Sequence, residues 1–263
     1  MKLYRIKAVM LRHLLLTFRV FQRLIDLMFW PFLNIVIWGF NSVWNEQFQN
    51  QSPQLTLALV TSLVIWQILF RTNMEICFSL LDELRSHNFT ALFSTPLQLN
   101  EWMMSVIGIG LLKSIFTFIF GMSCIWFLYG INVVSLGWML APFVALIILT
   151  GWIVGFLTAS GIVFWGLSVQ ELVWVVAWIF VPFSGIFYSV KVLPQWAQYF
   201  SMIIPQSYIF EGLRSYILQG AIPYRNLTIA AGLTIFYVVF ILIFFKFIFE
   251  QSRKNGLARL EST

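Results

Sequence analysis

Residues 114–170 read SIFTFIFGMSCIWFLYGINVVSLGWMLAPFVALIILTGWIVGFLTASGIVFWGLSVQ, a run of 57 positions without Asp, Glu, Lys or Arg. One helix of that length would far exceed the roughly 20 apolar residues that cross a bilayer. The glycines and the asparagine within 130–137 predict a break, because both residue types favour turns. The run therefore predicts two membrane-spanning helices, at Trp102–Tyr129 and Trp138–Trp165.

The whole chain shares this apolar character. Its 263 residues are 60% hydrophobic, 18% aromatic and 10% charged, with a mean hydropathy of +0.87. Soluble domains carry about 25% charged residues, so the composition indicates a membrane protein. Continuous rather than alternating apolar runs favour helices over a β-barrel. We predict an all-α integral membrane protein with six transmembrane helices, at Leu24–Trp44, Leu55–Leu80, Trp102–Tyr129, Trp138–Trp165, Leu172–Val190 and Leu227–Phe249.

Basic residues flank the first and the last span. Six precede the first span and three follow the last, whereas the connections at 45–54 and 130–137 contain none. Because positively charged loops stay in the cytoplasm, we predict that both termini are cytoplasmic, including a tail at 250–263. Within 1–23, helical spacing places most basic residues on one face and apolar residues on the other. This pattern is typical of an interfacial amphipathic helix with its basic face toward lipid phosphates. The alternative is a charge signal that only fixes topology.

The segment 81–101, here called the polar hairpin, separates two very apolar runs. The predicted topology places it in the cytoplasm. The second span is expected to continue beyond the membrane as a stem through Arg85. After a looser stretch, a short helix is expected whose apolar edge is formed by Phe89, Leu92 and Phe93.

The end of this short helix and the start of the next can also be predicted. Thr95 precedes Pro96, and a residue before proline is driven out of the helical region. Asn100 is expected to cap the next helix, with Glu101 favourably placed in its first turn. The alternative for the whole hairpin is an ordinary solvated loop that only connects two spans.

A second unusual segment, 191–226, separates the last two spans, and we call it the outer segment. It is rich in proline and aromatic residues, and a solvated loop would not need such apolarity. We predict two short helices that meet at Pro205 and dip back into the outer leaflet, which is possible only where the backbone is buried or lines a wet cavity. Glu211 and Arg214 lie one helical turn apart within it. The segment is interpreted either as an external gate or as a structural cap.

Five charged residues fall within the predicted spans: Asp26 and Lys246 lie close to span ends, and Arg71, Glu75 and Lys113 lie further inside. Arg71 and Glu75 are four residues apart and are expected to pair along their helix, while Lys113 lies in the third span. Ionisable groups in a membrane are costly unless they are paired or wet, so each marks a candidate site. They either hold helices together or line an inward-facing vestibule for a substrate head group. No group of His, Cys, Asp and Glu in the sequence predicts a metal site.

Two sequence motifs together resemble the type-2 ABC exporter permeases. The run FTALFSTPL at 89–97 is similar to a segment of the form GT-x-x-x-L-L-x-TP-L in that family's cytoplasmic loop. The family's extracellular re-entrant segment is similar to four stretches here, namely SGIFY at 184–188, LPQW at 193–196, Ile204-Pro205 and EGLR at 211–214. Their order and the six-span frame agree over essentially the full length. The chain departs from the family at Phe89, where a small residue is usual, and at Ile204, where asparagine is usual.

The resemblance implies a single ABC-2 type transmembrane domain over 1–263, acting as the permease subunit of an ATP-driven exporter in the bacterial cytoplasmic membrane. The implied partners are a separate ABC ATPase subunit that binds ATP and Mg²⁺, a second copy of the permease, and membrane lipids, but no nucleic acid. The implied cargo is amphipathic: a lipid-linked glycan, a lipid or a hydrophobic drug. The chain would carry no ATPase site of its own, since the glycine-rich run 108–114 has the wrong spacing for a phosphate-binding loop.

The resemblance also implies roles for two sets of residues. In that family the short cytoplasmic helix docks in a groove of the ATPase and transmits its closure to the spans. The implied coupling residues here are His87, Asn88, Phe89, Thr90, Leu92, Phe93, Thr95 and Pro96. The implied outer gate comprises Ser184, Gly185, Phe187, Tyr188, Pro205, Glu211 and Arg214.

Two other classes of function stay open. A secondary transporter driven by an ion gradient would need acidic residues at mid-membrane, and Glu75 is the closest candidate. A membrane-embedded enzyme or assembly factor would need a cluster of catalytic side chains, which the sequence does not offer.

Overall fold

The computed structural model describes residues 2–49 and 52–256, and every regular element within them is helical. Residues 257–263 of the predicted cytoplasmic tail lie outside the described residues. The α-helices of the described chain are α1 (Leu3–Arg19), α2 (Phe21–Phe48), α3 (Pro53–Arg85), α4 (Phe89–Ser94), α5 (Leu99–Tyr129), α6 (Leu140–Trp165), α7 (Leu172–Ile179), α8 (Gln195–Ile203), α9 (Pro205–Gln219) and α10 (Tyr224–Lys254).

Five helical segments of the described chain are long and apolar enough to cross a membrane. They are Phe21–Phe48, Pro53–Arg85, Leu99–Tyr129, Val133–Trp165 and Tyr224–Lys254. Each contains one of the predicted spans and extends beyond at least one of its ends. Length and apolarity thus indicate a multi-pass membrane protein.

The segment predicted as the fifth span, Leu172–Val190, forms a shorter helix than expected. After α7 the helical path continues only to Phe183, and Gly185 then takes a left-handed φ of 74°. A helical path from Leu172 to Phe183 rises about 18 Å, against about 30 Å for the hydrocarbon core. The apolar composition continues past the end of the helix, so hydropathy could not locate that end. The count of six full spans stays a prediction.

Local signals set several helix ends. Gly130 ends α5 with a left-handed φ of 67°, at the break predicted within the long apolar run. At its start, α5 is capped by Gln98 rather than by Asn100, which lies inside the helix. The Glu101 carboxylate explains this difference, because it accepts a hydrogen bond of 3.1 Å from the Gln98 backbone N–H and so closes the helix end two residues earlier.

Helix α3 is the most deeply buried of the five long helices and packs against α2, α5, α6, α7 and α9. Two glycines of α6 permit a close approach to it. A Cβ at Gly151 would lie 2.7 Å from Thr72 Cβ, and a Cβ at Gly155 would lie 2.7 Å from Ile76 Cδ1. Small residues four positions apart let helices pack closely in a membrane, where dispersion contacts must replace the hydrophobic effect.

Two apolar clusters fill the bundle, one around Trp102 and Phe245 near the polar hairpin, the other around Phe143 and Phe210 near the outer segment. Between them α3 and α5 carry a layer of polar side chains. This polar layer consists of Arg71, Thr72, Asn73, Glu75, Lys113 and Ser114. Polar groups within an apolar bundle are costly unless paired or functional, so the polar layer marks a candidate functional site.

Helix α1, the polar hairpin and the end of α10 lie at one end of the bundle. Helix α1 packs against α5, and the ring centroids of Phe93 in α4 and Phe249 in α10 lie 4.7 Å apart. At the other end, the Tyr216 hydroxyl of the outer segment donates to the Leu136 carbonyl at 3.2 Å. This arrangement agrees with a topology in which both termini and the hairpin share one side of the membrane.

Candidate functional site

The polar hairpin turns sharply at His87. Helix α3 ends at Arg85, as the predicted stem requires. His87 has a φ of 51°, the left-handed conformation, alone among the non-glycine residues that the structure describes. The Asn88 side-chain amide donates to Glu83 Oε2 at 2.8 Å and ties the turn back to the stem. The looser stretch expected here is therefore a fixed turn, because a side-chain hydrogen bond holds it.

The apolar edge of α4 points into the bundle. Phe89 is fully buried, with its ring centroid 6.0 Å from that of Phe249. Phe93 lies between the rings of Phe249 and Trp102, at 4.7 and 6.5 Å, and Leu92 packs against the same core. The coupling role that the resemblance implies for Phe89 does not fit an exposed docking residue, because its side chain is buried, whereas Leu92 and Phe93 are half-buried. A helix of six residues is unstable alone, so its apolar side chains anchor it to α5 and α10.

The opposite face of α4 and the turn after it are exposed. Ala91, Ser94, Thr95 and Pro96 form this surface, which we call the hairpin tip. The Arg5 guanidinium donates to the carbonyl oxygen of Pro96 and holds the tip against α1. The coupling residues suggested by the sequence are therefore divided by exposure: His87, Thr95 and Pro96 are exposed, Asn88, Thr90, Leu92 and Phe93 are half-buried, and Phe89 is buried.

Basic residues of the N-terminal segment pair with acidic residues of the polar hairpin. The three ion pairs are Arg5–Glu101 at 3.4 Å, Arg12–Glu83 at 3.0 Å and Arg23–Asp82 at 2.7 Å. The prediction that this basic face points toward lipid phosphates is wrong for these arginines. Carboxylates at the ends of α3 and α5 take that place, because a partly buried acid without a cation would be costly. Lys7 and Arg19 remain exposed.

His13 is buried under α1, beside the carboxylate of Glu83. Its exposed fraction is 1%, and its Nε2 lies 3.9 Å from Glu83 Oε1. Burial lowers the pKa of His13 below its ordinary value, and this effect outweighs the opposing attraction of Glu75, Glu83 and Asp82. The side chain is accordingly neutral at pH 7, and charging it would work against the packing of α1.

Three of the in-span charges predicted from the sequence, Arg71, Glu75 and Lys113, lie around one cavity. Lys113 Nζ donates to Glu75 Oε2 at 2.6 Å, which joins α5 to α3. Arg71 donates instead to the backbone carbonyl of Asp26 in α2, also at 2.6 Å. The predicted Arg71–Glu75 pair along α3 does not form. A pair four residues apart on one helix is worth only about 0.2–0.5 kcal/mol, and a buried lysine on the neighbouring helix needs the carboxylate more.

The cavity has a volume of about 470 Å³ and lies between α2, α3, α5 and α7. We call it the charged cavity. Its charged lining comprises Arg23, Asp26, Arg71, Glu75, Asp82, Arg85 and Lys113. On another side it is lined by aromatic rings, with the Trp174 centroid 6.4 Å from that of Trp30 and 6.2 Å from that of Phe78. Ionic groups and aromatic rings thus share one space.

The outer segment folds into two helices that meet at Pro205, as predicted. Helix α8 ends at Ile203, Ile204 is extended, and Pro205 opens α9. Proline suits the first helical position because its missing N–H has no partner there in any helix. The depth of these two helices in a bilayer stays a prediction.

Glu211 and Arg214 of α9 clamp the loop that follows α7. Arg214 Nη2 donates to the carbonyls of Gly185 and Ile186, at 2.8 and 3.3 Å. Glu211 Oε1 accepts from the Val190 N–H at 2.6 Å and lies 3.2 Å from Arg214 Nη1. The loop is therefore fastened at three backbone positions by two side chains.

The remaining gate residues suggested by the sequence also belong to this loop, apart from Pro205. Ser184 Oγ donates to the Val181 carbonyl at 2.8 Å, and the Tyr188 hydroxyl donates to the Pro182 carbonyl at 2.9 Å. The Phe187 ring lies 4.3 Å, centroid to centroid, from Trp38 of α2. The structure places these side chains in the loop that Glu211 and Arg214 of α9 hold. Pro205 is not part of this loop, because it lies at the joint of α8 and α9.

Sequence reasoning missed the acidic partners of α1 and the aromatic lining of the charged cavity. A signal for Asp82, Glu83 and Glu101 was available, because three acids in a short hairpin face a strongly basic N-terminal segment of the same topology. Trp30 and Trp174 gave no such signal, since the chain has 12 tryptophans. Only the packing of α2 against α3 and α7 distinguishes them from the rest.

Comparison of the chain with models of known protein families gives no match, and comparison with curated proteins gives none.

Proposed function

We propose that the chain is the membrane-spanning permease subunit of an ATP-driven, ABC-2 type exporter. It moves an amphipathic cargo, such as a lipid-linked glycan, a lipid or a hydrophobic drug, outward across the bacterial cytoplasmic membrane. A separate ATPase subunit binds ATP and Mg²⁺, and a second copy of the permease completes the transport path. Both termini and the polar hairpin lie in the cytoplasm.

The main support for this proposal is that α4 has one face packed in the bundle and the opposite face exposed. On one side, Phe89 and Phe93 lock the helix to α5 and α10. On the other side, the hairpin tip is exposed at the end of two long helices. A push on the tip is therefore passed to α10 through the aromatic contacts and to α3 through the turn at His87. A solvated loop would not need an anchored helix at this place.

The ion pairs of the N-terminal segment connect further helices to the polar hairpin. Arg12 ties α1 to Glu83 at the end of α3, and Arg5 ties it to Glu101 at the start of α5. Arg23, at the beginning of α2, adds a contact to Asp82. Because three long helices are joined to the hairpin, its displacement moves them together, which is what coupling to an ATPase requires.

The lining of the charged cavity supports the proposal that the cargo is amphipathic. It offers ionic groups on α3 and α5 and tryptophan rings on α2 and α7 within one space of about 470 Å³. The exposed apolar faces of α2 and α10 supply further area for lipid and for the second permease copy.

The alternative of a secondary transporter is supported less well. Such a protein needs a mid-membrane acid that can bind and release a proton or cation, and Glu75 was the closest candidate. Lys113 lies 2.6 Å from Glu75 and already neutralises its charge. The pair favours a structural role for Glu75, and so the exporter is preferred.

The test is the substitution Ala91→Arg at the hairpin tip, with Ala221→Arg as the matched control. Both alanines are exposed, and Ala221 lies just beyond α9, in the outer segment. The permease is co-expressed with an ABC ATPase subunit. We expect Ala91→Arg to abolish co-purification of the ATPase and ATP-dependent export, because a large cation blocks the docking surface. The melting temperature in detergent should match that of the wild type, and Ala221→Arg should leave both activities intact.

Retained ATPase binding and export in Ala91→Arg would contradict the proposal.

A second experiment introduces Ser94→Cys and labels intact cells with a maleimide that cannot cross the membrane. We expect no labelling until the cells are opened, since the hairpin tip is placed in the cytoplasm. Labelling of intact cells at this position would overturn both the topology and the function.

A further inference from the structure

The charged cavity holds an arginine whose binding capacity is largely unused. The other three cations of the lining have side-chain partners: Lys113 pairs with Glu75 at 2.6 Å, Arg23 with Asp82 at 2.7 Å, and Arg85 with Gln170 at 2.7 Å. Among the described residues no carboxylate lies within ion-pair distance of Arg71. Within the part of the chain that the structure describes, it donates one hydrogen bond, to the Asp26 backbone carbonyl, and its Nε is buried without a partner.

Two further polar atoms of the lining are buried without a hydrogen-bond partner. They are Ser79 Oγ, on a side chain with an exposed fraction of 2%, and Asp82 Oδ2. Arg71, Ser79 and Asp82 lie on one face of α3, because their spacing follows the helical repeat. Buried polar groups are almost always hydrogen-bonded to protein or to ordered water, so these atoms are available to bond a molecule held in the cavity.

The balance of charge around the cavity favours an anion. The lining has four basic side chains, Arg23, Arg71, Arg85 and Lys113, and three acidic ones, Asp26, Glu75 and Asp82. The excess is one positive charge. Arg71 and Arg85 have no carboxylate partner among the described residues, and Arg85 already donates to the Gln170 amide oxygen, so Arg71 is the cation without a side-chain partner. Guanidinium groups bind phosphate oxygens through two parallel hydrogen bonds, and such charge-assisted bonds are strengthened where water is scarce.

The aromatic side of the cavity adds a second requirement. Trp30, Phe78 and Trp174 line it, and the Trp30 and Trp174 centroids lie 6.4 Å apart. A small inorganic anion would leave these rings without contact. A ligand with an apolar portion next to its charged group would cover them, and a space of about 470 Å³ falls in the usual range for ligand pockets.

We propose that the charged cavity binds the phosphate group of an amphipathic molecule. Arg71 contacts the phosphate oxygens, Ser79 donates a second hydrogen bond to them, and Trp30 and Trp174 contact the apolar portion. Asp82 Oδ2 accepts a hydrogen bond from a hydroxyl or ammonium group of the same head group. That this ligand is the cargo rests on the function proposed above, whereas its binding depends on the cavity alone.

The test measures binding to the purified permease in detergent without any ATPase. The probes are dioctanoyl phosphatidic acid, dioctanoylglycerol and inorganic phosphate, followed by native mass spectrometry. We expect phosphatidic acid to bind at least about tenfold more tightly than dioctanoylglycerol, and Arg71→Gln to remove most of that difference. The matched control is Arg225→Gln, at an exposed arginine at the start of α10, which should bind like the wild type.

Equal affinity for phosphatidic acid and dioctanoylglycerol in the wild type would overturn the proposal. So would an equal effect of Arg71→Gln and Arg225→Gln. Inorganic phosphate that binds as tightly as phosphatidic acid would keep the phosphate site but assign it to a soluble ligand rather than a lipid. The lipid-binding measurements use no ATPase, so they do not depend on the outcome of the Ala91→Arg test. The exporter proposal can therefore be wrong while the phosphate site is right, and the reverse.

Two milder variants keep the test decisive if Arg71→Gln does not fold. Arg71→Lys retains the charge but has no planar fork, and Ser79→Ala removes one hydroxyl. Both should weaken phosphatidic acid binding several-fold and leave dioctanoylglycerol binding unchanged. Unchanged binding of phosphatidic acid to both variants would contradict the site.

Discussion

Glu75 of α3 and Lys113 of α5 form an ion pair of 2.6 Å between the two apolar clusters of the bundle, with exposed side-chain fractions of 7% and 10%. In such surroundings either charge alone would be costly, so the pair holds the two helices in one relative position. It also occupies the one carboxylate four residues from Arg71 on α3. Arg71 forms no ion pair with that carboxylate and donates instead to the Asp26 backbone carbonyl.

The first prediction concerns the energy of this pair. Glu75→Gln should lower the free energy of unfolding by about 3–5 kcal/mol, because it leaves Lys113 buried without a countercharge. Lys113→Met should have a similar effect, whereas the double variant should be less destabilised than either single one. Unfolding in mixed detergent micelles provides the measurement. Strictly additive effects of the two substitutions would show that the pair is not energetically coupled.

The second prediction concerns the anchor of α4. Phe89→Ala should destabilise the protein by about 3 kcal/mol, since it empties a fully buried ring position against Phe93 and Phe249. The matched control is Phe127→Ala on α5, whose ring has an exposed fraction of 84%. Its melting temperature in detergent should stay near that of the wild type. If Phe89→Ala were as stable as the control but no longer bound an ATPase, Phe89 would belong to the docking surface.

The third prediction is a dependence of stability on pH. The folded-state pKa of His13 is lowered by burial from an ordinary value of 6.5. Below about pH 6.5 the unfolded chain therefore binds a proton more readily than the folded protein does, and stability falls as the pH falls. We expect the melting temperature to decrease between pH 7 and pH 5, and His13→Gln to flatten that part of the curve.

The chain contains two histidines, which provides a clean control for the pH experiment. His87 is exposed at the turn of the polar hairpin, so His87→Gln should keep the pH dependence of the wild type. A curve flattened by His87→Gln and not by His13→Gln would assign the effect to the hairpin turn instead.

The features that the sequence predicted well are local. A break near Gly130 and a joint at Pro205 follow from the residue at the break itself. The five long apolar helices follow from the length of each apolar run. The end of the helical path after α7 at Phe183 was missed because the residues beyond it are still apolar, so hydropathy does not change there.

The features that the sequence predicted poorly depend on which helices are neighbours. Glu75 had an arginine on its own helix and a lysine on another as possible partners, and only the packing of α3 against α5 decides between them. The direction of the apolar edge of α4 depends likewise on α10, whose Phe249 is more than 150 residues away in the chain. Pairing across helices is set by the fold as a whole, and no short stretch contains it.

The last prediction concerns the loop that Arg214 and Glu211 clamp. Gly185 has a φ of 74°, and a Cβ there would lie 3.2 Å from Val190 Cγ2. Gly185→Ala should therefore cost about 1–2 kcal/mol of stability, the usual penalty for a side chain in the left-handed region. Gly232→Ala is the matched control, because Gly232 lies inside α10 and a Cβ there would meet no other atom within 4 Å. It should stabilise the protein by up to about 1 kcal/mol.

These two glycine variants also test whether the outer segment is an external gate or a structural cap. If the proposed export requires the clamped loop to move, Gly185→Ala should reduce the export rate at temperatures where the protein remains fully folded, because it alters the loop that Arg214 holds at 2.8 Å. Gly232→Ala should export at the rate of the wild type. A normal export rate in Gly185→Ala, together with a lowered melting temperature, would identify the loop as a structural cap.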